Sequence, residues 1–136
     1  MQYKVMKFVL AAAFMGTAGA AMAASPALYT ADQAKAGAAA YATSCAMCHG
    51  ADLSGAAGPA LMGPSFAGPA IKATIGSVFT QLTGQMPAGQ PGSLTHEQYE
   101  DVMAYILQQN GYQAGAVKLD YTAALASTVP LVSQKN

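Results

Sequence analysis

The sequence predicts a small all-α domain with long loops rich in glycine and proline. Two segments each begin with a capping box, in which a threonine is followed three residues later by a glutamine, and both continue with apolar residues at helical spacing. No segment shows the alternation of apolar and polar residues that is typical of strands. The chain is long enough for one such domain and too short for two.

The first segment, residues 1–23, is predicted to be a secretory signal peptide. Lys4 and Lys7 give it a positive start, residues 8–20 are apolar, and a small-x-small cleavage site ends at Ala23. An uncleaved membrane anchor is the alternative, but small residues dilute the apolar run below the roughly 20 strongly apolar residues of a span. Cleavage is favoured, which places the mature protein in the bacterial periplasm with no membrane-spanning segment.

A helix is predicted over residues 30–44, after a short lead-in at residues 24–30. Thr30 and Gln33 form the first capping box. Gly37 lowers the intrinsic stability of a helix relative to alanine. We therefore expect another element to approach closely at this position, the alternative being a glycine that the helix merely tolerates.

Both cysteines of the chain follow this helix, in Cys45-Ala46-Met47-Cys48-His49. In an exported protein, two cysteines ordinarily predict a disulfide, and a redox-active pair of the thioredoxin type is a second alternative. The thioredoxin motif needs a preceding strand, whereas an alanine-rich helical pattern precedes this one. A structural zinc site needs four ligands, and a second pair of ligands is missing.

The spacing of the motif favours haem attachment over these alternatives. Positions i, i+3 and i+4 share one face of a helical turn, so thioether bonds from Cys45 and Cys48 would bring His49 over the iron. The mature chain is rich in small residues and lacks tryptophan, so its own core is marginal for its size. A porphyrin would fill that core, and we predict one covalent haem with His49 as an axial ligand of the iron.

The clearest helix follows the second capping box, formed by Thr95 and Gln98. A shorter helix is predicted before it, over residues 78–83, and Asn110-Gly111 ends the later helix. The apolar stripe of the later helix consists of Tyr99, Val102, Met103, Ile106 and Leu107.

Over roughly residues 31–112, taken as one domain, the sequence resembles the class I c-type cytochromes, small bacterial proteins with one haem. The matching features, in order, are a helix with Gly37 and Tyr41 before Cys-x-x-Cys-His, then Gly58-Pro59-Ala60-Leu61 with Gly63, then Met86-Pro87, and finally a terminal helix with Tyr105. The resemblance implies that the first and last helices cross around the haem, with Gly37 at the crossing and Tyr41 and Tyr105 nearby. It also implies that the Pro59 carbonyl accepts the imidazole N–H of His49. On the same ground, Leu61 and Tyr41 are assigned to the cofactor site.

The sixth ligand of the iron is predicted to be Met86. Pro87 restricts Met86 to extended conformations, and the Met-Pro pair matches the distal ligand of the family. Met62, in a Gly/Pro loop, remains an alternative. The other side chains that we considered are Met47, Met103 and His96, which the pattern places between the cysteines, in the core and in solvent, respectively.

A His/Met pair would occupy both axial positions of the iron, which favours a one-electron carrier over an enzyme. We expect a periplasmic shuttle between a dehydrogenase or cytochrome complex and a terminal oxidase. One alternative is a tightly bound subunit of a periplasmic dehydrogenase complex. Another is a haem enzyme or gas sensor in which Met86 is displaced from the iron.

The charge balance restricts the partners. Without the signal peptide the chain has four lysines and six acidic residues, a net charge of −2, and the sequence contains no arginine. Nucleic-acid binding is excluded, because it needs clustered basic residues. We expect redox partners to contact neutral and apolar residues near Ala46, Met47 and residues 86–91, with weak salt dependence.

The last segment, residues 113–136, extends beyond the predicted domain. Leu119, Tyr121, Leu125, Val129 and Leu131 make it too apolar for a solvated tail. We expect it to pack over the domain or, alternatively, to dock a partner. The segment is also weakly similar to the ends of bacterial cytochromes associated with periplasmic dehydrogenases.

Overall fold

Six helices joined by long loops form the described part of the chain, residues 26–135, in a computed structural model. The helices are α1 (Ala31–Ser44), α2 (Ala46–His49), α3 (Pro64–Ala67), α4 (Ile75–Gln85), α5 (His96–Gln109) and α6 (Tyr121–Leu125). The only extended pairing among these residues is a single bridge between Thr74 and Pro130. The all-α prediction is therefore confirmed. The predicted signal peptide and the first residues of the lead-in lie outside the described part, and within that part no helix has the length and hydropathy of a membrane span.

The fold is organised by the crossing of α1 and α5. At the crossing, a Cβ atom added to Gly37 would overlap the backbone carbonyl of Asp101 and lie 3.0 Å from Cβ of Tyr105. Beside it, the rings of Tyr41 and Tyr105 pack with their centroids 5.3 Å apart and their planes tilted by 55°. The close approach expected at Gly37 is thus confirmed, and so is the crossing of the first and last helices of the domain.

Capping boxes begin the three longest helices. Thr30 and Gln33 cap α1, and Thr95 and Gln98 cap α5, as the sequence predicts. Helix α4 extends beyond the predicted residues 78–83 at both ends. Its start was missed because a serine replaces the usual Glu or Gln: Ser77 N–H donates to Thr74 Oγ1 over 3.0 Å, and Thr74 N–H donates to Ser77 Oγ over 2.9 Å.

The apolar stripe of α5 forms the centre of the core. All five residues of the predicted stripe are buried, and Tyr41 and Ala34 of α1 pack on them. Phe79 and Ile75 bring α4 into the same core, and α4 also packs on α6. Ala67 and Ala104 occupy smaller positions of the core, where alanine buries little apolar area.

Residues 113–135, which we call the C-terminal strap, cross back over the domain. Gln33 of α1 makes two hydrogen bonds with the backbone of Leu119 in the strap. Its Nε2 donates to the Leu119 carbonyl over 2.9 Å, and its Oε1 accepts the Leu119 N–H over 2.8 Å. Further along, Ile75 N–H donates to the Val129 carbonyl, and Leu131 N–H donates to Ala73, each over 2.9 Å. Leu119 and Leu131 are buried by these contacts. A role of the strap in docking stays a prediction.

Substituting Gly37 tests the helix crossing. Gly37→Ala should destabilise the protein by about 2 kcal/mol, since the new methyl group meets backbone that cannot rotate away. Helix propensity alone would predict the opposite change, because alanine is favoured over glycine in a helix by about 1 kcal/mol. Urea unfolding of the haem-loaded protein measures the change.

The matched control is Gly84→Ala in α4. A Cβ atom at Gly84 meets nothing within 4 Å, so this variant should be stabilised, by up to about 1 kcal/mol. Equal effects of the two substitutions would contradict the close approach at Gly37.

Candidate functional site

The cysteine motif forms one helical turn at the end of α1. Cys45 is the C-cap of α1, and its N–H donates to the Tyr41 carbonyl over 2.9 Å. The Cys45 carbonyl then accepts the N–H groups of Cys48, over 3.1 Å, and His49, over 3.0 Å. These i→i+3 and i→i+4 bonds place the two thiols and the imidazole on one face of the turn.

This face borders a cavity of about 390 Å³. All of the predicted site residues except Tyr41 line it. They are Cys45, Cys48, His49, Pro59, Leu61 and Met86. Val78, Leu82, Val102 and Ile106 contribute apolar walls from α4 and α5, and the polar lining residues outside the motif are Thr43, Ser44, Ser65 and Gln81. Among residues 26–135, no charged side chain lines the cavity, so its interior suits a large apolar group.

The ring of His49 is oriented by the loop that follows it. Its Nδ1 lies 2.8 Å from the Pro59 carbonyl oxygen. A carbonyl only accepts hydrogen bonds, so Nδ1 carries the hydrogen and Nε2 is left with its lone pair for a metal. The loop is held to the motif because Gly58 N–H donates to the Cys48 carbonyl over 2.7 Å. A Cβ atom at Gly58 would lie only 3.1 Å from Cε1 of His49, so a larger residue there would press on the ring.

Cys45 lacks the electrostatics of the reactive cysteine in a thioredoxin-type pair. Burial raises the pKa of the Cys45 thiol, and the nearby Cys48 raises it further. Reactive cysteines of disulfide oxidoreductases have a lowered pKa, because the thiolate is the nucleophile. The environment of Cys45 therefore argues against the thioredoxin alternative.

Met86 borders the same cavity as His49, at the C-terminal end of α4. Its backbone is extended, with φ −118° and ψ 152°, as expected for a residue before proline. The residue is partly buried and packs on the core. Its backbone carbonyl accepts a hydrogen bond of 2.7 Å from the hydroxyl of Tyr99 on α5.

Of the other sulfur and imidazole groups that we considered, only Met47 borders the cavity. Met103 is fully buried in the core, and Met62 is partly buried; neither lines the cavity. The ring of His96 stacks on Tyr121 at the surface, with centroids 3.7 Å apart. Met47 does line the cavity, but it is 90% exposed and belongs to its mouth.

Tyr41 does not line the cavity; instead, it binds the backbone next to the cysteine motif. Its hydroxyl donates to the Gly50 carbonyl over 2.7 Å, directly after His49. Burial raises the pKa of Tyr41 to about 12, so the hydroxyl stays protonated and able to donate well above neutral pH.

Comparison with known proteins identifies the family. The profile of the family described as cytochrome c oxidase, cbb3-type, subunit III matches residues 32–106, from the first turn of α1 into the last turn of α5. This chain is a class I c-type cytochrome. The cytochromes of this class transfer electrons through a haem c that is covalently attached, and the present cytochrome carries haem c and its iron.

Among solved structures, the cytochrome is similar to the sulfane dehydrogenase SoxCD from Paracoccus pantotrophus, with a TM-score of 0.54 and 26% sequence identity. The match covers 71% of the cytochrome and 53% of the SoxCD chain, so the cytochrome corresponds to about half of that chain. No protein of curated function matches the sequence.

The residues around the cavity fit a covalently attached haem. Two thiols on one helical turn, an imidazole with its Nε2 available and an apolar lining are the donor set and surroundings that such a group requires. A methionine sulfur also borders the cavity, from a different element of the fold.

Two residues that position this site were not recognised from the sequence. Tyr99 was predicted only as part of an apolar stripe. Asn110, predicted only to end α5, is fully buried. Its Nδ2 donates to the Leu61 carbonyl over 3.0 Å, and its Oδ1 accepts the Gly63 N–H over 3.2 Å, so it fixes the loop that brings Leu61 to the cavity. No local sequence pattern predicts hydrogen bonds between residues that are so far apart in the sequence.

The raised pKa of Tyr41 predicts a loss of stability at high pH. In the unfolded chain Tyr41 releases its proton near pH 10, whereas in the folded protein it does so near pH 12. The folded state therefore binds more protons between these values, and its stability falls as the pH rises through this window. Urea unfolding at a series of pH values measures the fall.

Tyr41→Phe provides the comparison. It should cost about 1 kcal/mol at neutral pH, because the hydrogen bond to Gly50 is lost. Above pH 10 its stability should fall less than that of the parent protein. Tyr29, whose pKa burial also raises, is present in both proteins, so parallel pH profiles would contradict the assignment to Tyr41.

Proposed function

We propose that this cytochrome is a periplasmic one-electron carrier in which Cys45 and Cys48 attach the haem, and His49 and Met86 ligate its iron. The observation that carries this proposal is the placement of His49 and Met86 on the lining of one cavity, from separate elements of the fold. Haem c supplies the one-electron iron couple when it is bound. The protein supplies the ligands, the apolar surroundings and the contact surface.

The two ligands have different roles. The bond from Nδ1 of His49 to Pro59 fixes the ring and raises its basicity. The neutral sulfur of Met86 favours ferrous iron and raises the reduction potential. Two protein ligands on the iron would leave oxygen and peroxide no free coordination site, which favours electron transfer over oxygen chemistry.

The apolar, uncharged lining is expected to raise the reduction potential, as the sulfur ligand does. A ferric centre carries a net positive charge, and moving that charge out of water is unfavourable. No charged side chain of the lining compensates it. The ferrous state is therefore favoured relative to the same ligands in an exposed site.

A fixed place in an enzyme complex is the second candidate, and it rests on the similarity to SoxCD, whose name describes a sulfane dehydrogenase. In that case, the cytochrome would take electrons from a catalytic partner that it does not leave. Size-exclusion chromatography of extracts from producing cells separates the two: a shuttle elutes as the free cytochrome, whereas a subunit elutes with its partner in a fixed ratio.

Replacing Met86 tests the proposed ligation. The oxidised parent protein should show the weak far-red absorption band of sulfur bound to ferric iron, and the reduced protein should not bind carbon monoxide. Met86→Leu should abolish the band, allow carbon monoxide to bind and lower the reduction potential, because the sulfur is lost.

Met62→Leu is the matched control, since Met62 is also partly buried but does not line the cavity. It should keep the band and exclude carbon monoxide. Loss of the band in Met62→Leu instead of Met86→Leu would reassign the ligand. Ready carbon monoxide binding by the parent protein would favour a gas sensor or haem enzyme.

The mouth of the cavity is the proposed contact for redox partners. Met47 is its most exposed apolar residue, and Ile71, Pro87 and Ala88 also line the cavity. With no charge among them, encounters depend on apolar contact more than on steering. The partner surface is accordingly expected to be neutral and apolar.

Electron self-exchange between two molecules of the cytochrome tests this contact without a known partner. The rate should depend weakly on ionic strength. Met47→Glu should slow self-exchange about tenfold at low salt, because two like charges then meet at the contact, and added salt should relieve the effect. Line broadening in NMR spectra of mixed oxidation states measures the rate.

Val117→Glu is the control for net charge. Val117 is an exposed apolar residue that does not line the cavity, 71% exposed compared with 90% for Met47. The two variants have the same net charge, so equal slowing would place the contact elsewhere.

A further inference from the structure

A single hydroxyl closes the loop that carries Met86. The loop spans residues 86–92, and we call it the Met86 loop. At its start, Tyr99 Oη donates to the Met86 carbonyl over 2.7 Å; near its end, the same oxygen accepts the Gly92 N–H over 3.0 Å. The hydroxyl therefore joins the two ends of the loop through one donor and one acceptor bond.

This bond completes the fixation of the Met86 backbone. The Met86 N–H donates to the Leu82 carbonyl over 3.1 Å in the last turn of α4. With its carbonyl bound to Tyr99, both backbone polar groups of Met86 are engaged. The side-chain torsions then place the sulfur, and the packing of Met86 against the core restricts them.

Tyr99 is itself rigidly held and belongs to the helix that forms the cavity wall. Its side chain is buried in the core, near the start of α5. Val102 and Ile106 follow it on the same helix and line the cavity. The position of the Met86 loop is thus set relative to the wall beside which the haem lies.

We propose that Tyr99 is a positioning residue for the distal ligand, its hydroxyl holding the Met86 loop closed and keeping the sulfur at the iron. This inference rests on the proposed function, in which Met86 is that ligand. An external ligand binds only when the sulfur has left the iron, so its apparent affinity is reduced by the fraction of molecules in that open state. Removing the hydroxyl raises this fraction.

Titration with imidazole of the oxidised, haem-loaded protein measures the open fraction. Tyr99→Phe keeps the ring in the core and removes only the oxygen. Imidazole should bind this variant about tenfold more tightly than the parent, a change equivalent to about 1.4 kcal/mol. The parent and the variant should both retain the far-red band before imidazole is added.

Tyr112→Phe is a matched control within the same chain. The buried Tyr112 hydroxyl also joins two points of one segment: it donates to the Pro130 carbonyl over 3.2 Å and accepts the Val132 N–H over 3.0 Å. These bonds hold the C-terminal strap, not the Met86 loop. Both variants should lose stability in urea, but Tyr112→Phe should leave the imidazole affinity unchanged.

The outcomes separate this inference from the proposed function. If the parent protein lacks the far-red band, Met86 is not the ligand and the proposed function fails first. If the parent has the band but Tyr99→Phe binds imidazole as the parent does, the positioning role is overturned while Met86 remains the ligand. Equal tightening in Tyr99→Phe and Tyr112→Phe would also overturn it, because general destabilisation would then explain the effect.

Discussion

The contact between the backbones of α1 and α5 at Gly37 is the constraint on which the rest of the structure depends. Because no side chain separates Gly37 from the Asp101 carbonyl, the two helices cross at one fixed point. Helix α1 ends at Ser44, and its C-cap, Cys45, begins the attachment motif. Near the start of α5, Tyr99 holds the Met86 loop. At the end of α5, Asn110 holds the loop that contains Leu61. A shift at the crossing would therefore separate the two sides of the cavity.

The C-terminal strap stabilises this arrangement from outside. Gln33 of α1 binds the strap, and Val129 of the strap accepts a hydrogen bond from the start of α4. The N–H of Gln134 in the strap donates to the Asn110 carbonyl over 2.9 Å. In the core of the domain, Ala34, Ala67 and Ala104 each bury little apolar area. Leu119 and Leu131 of the strap add larger side chains to it. These contacts account for Leu119 and Leu131 without a partner, whereas Val117 and Leu125 remain exposed.

The sequence was most informative where the cause of structure is local. Capping boxes and the apolar stripe predicted α1 and α5, and the i, i+3, i+4 spacing predicted the shared face of the motif. The start of α4 was missed because serine, at Ser77, performs the role usually recognised from Glu or Gln. The roles of Tyr99 and Asn110 were missed for a different reason. Each depends on a backbone group that is distant in sequence, and an aromatic residue in a stripe or an asparagine at a helix end is equally compatible with simple packing or capping.

The two sides of the site differ in how they are held, and this difference bears on function. On the His49 side, the turn of the motif, the Pro59 carbonyl and Gly58 surround the ring within a few residues of sequence. Covalent attachment through the cysteines would add to this rigidity. On the Met86 side, the proposed ligand has no covalent tie, and the loop beyond it is joined to α5 through the Tyr99 hydroxyl. A carrier needs both ligands to stay in place in both oxidation states, so that little reorganisation accompanies electron transfer. If Met86 ligates the iron as we propose, the strength with which the fold holds this side would therefore govern the reduction potential and the exclusion of external ligands.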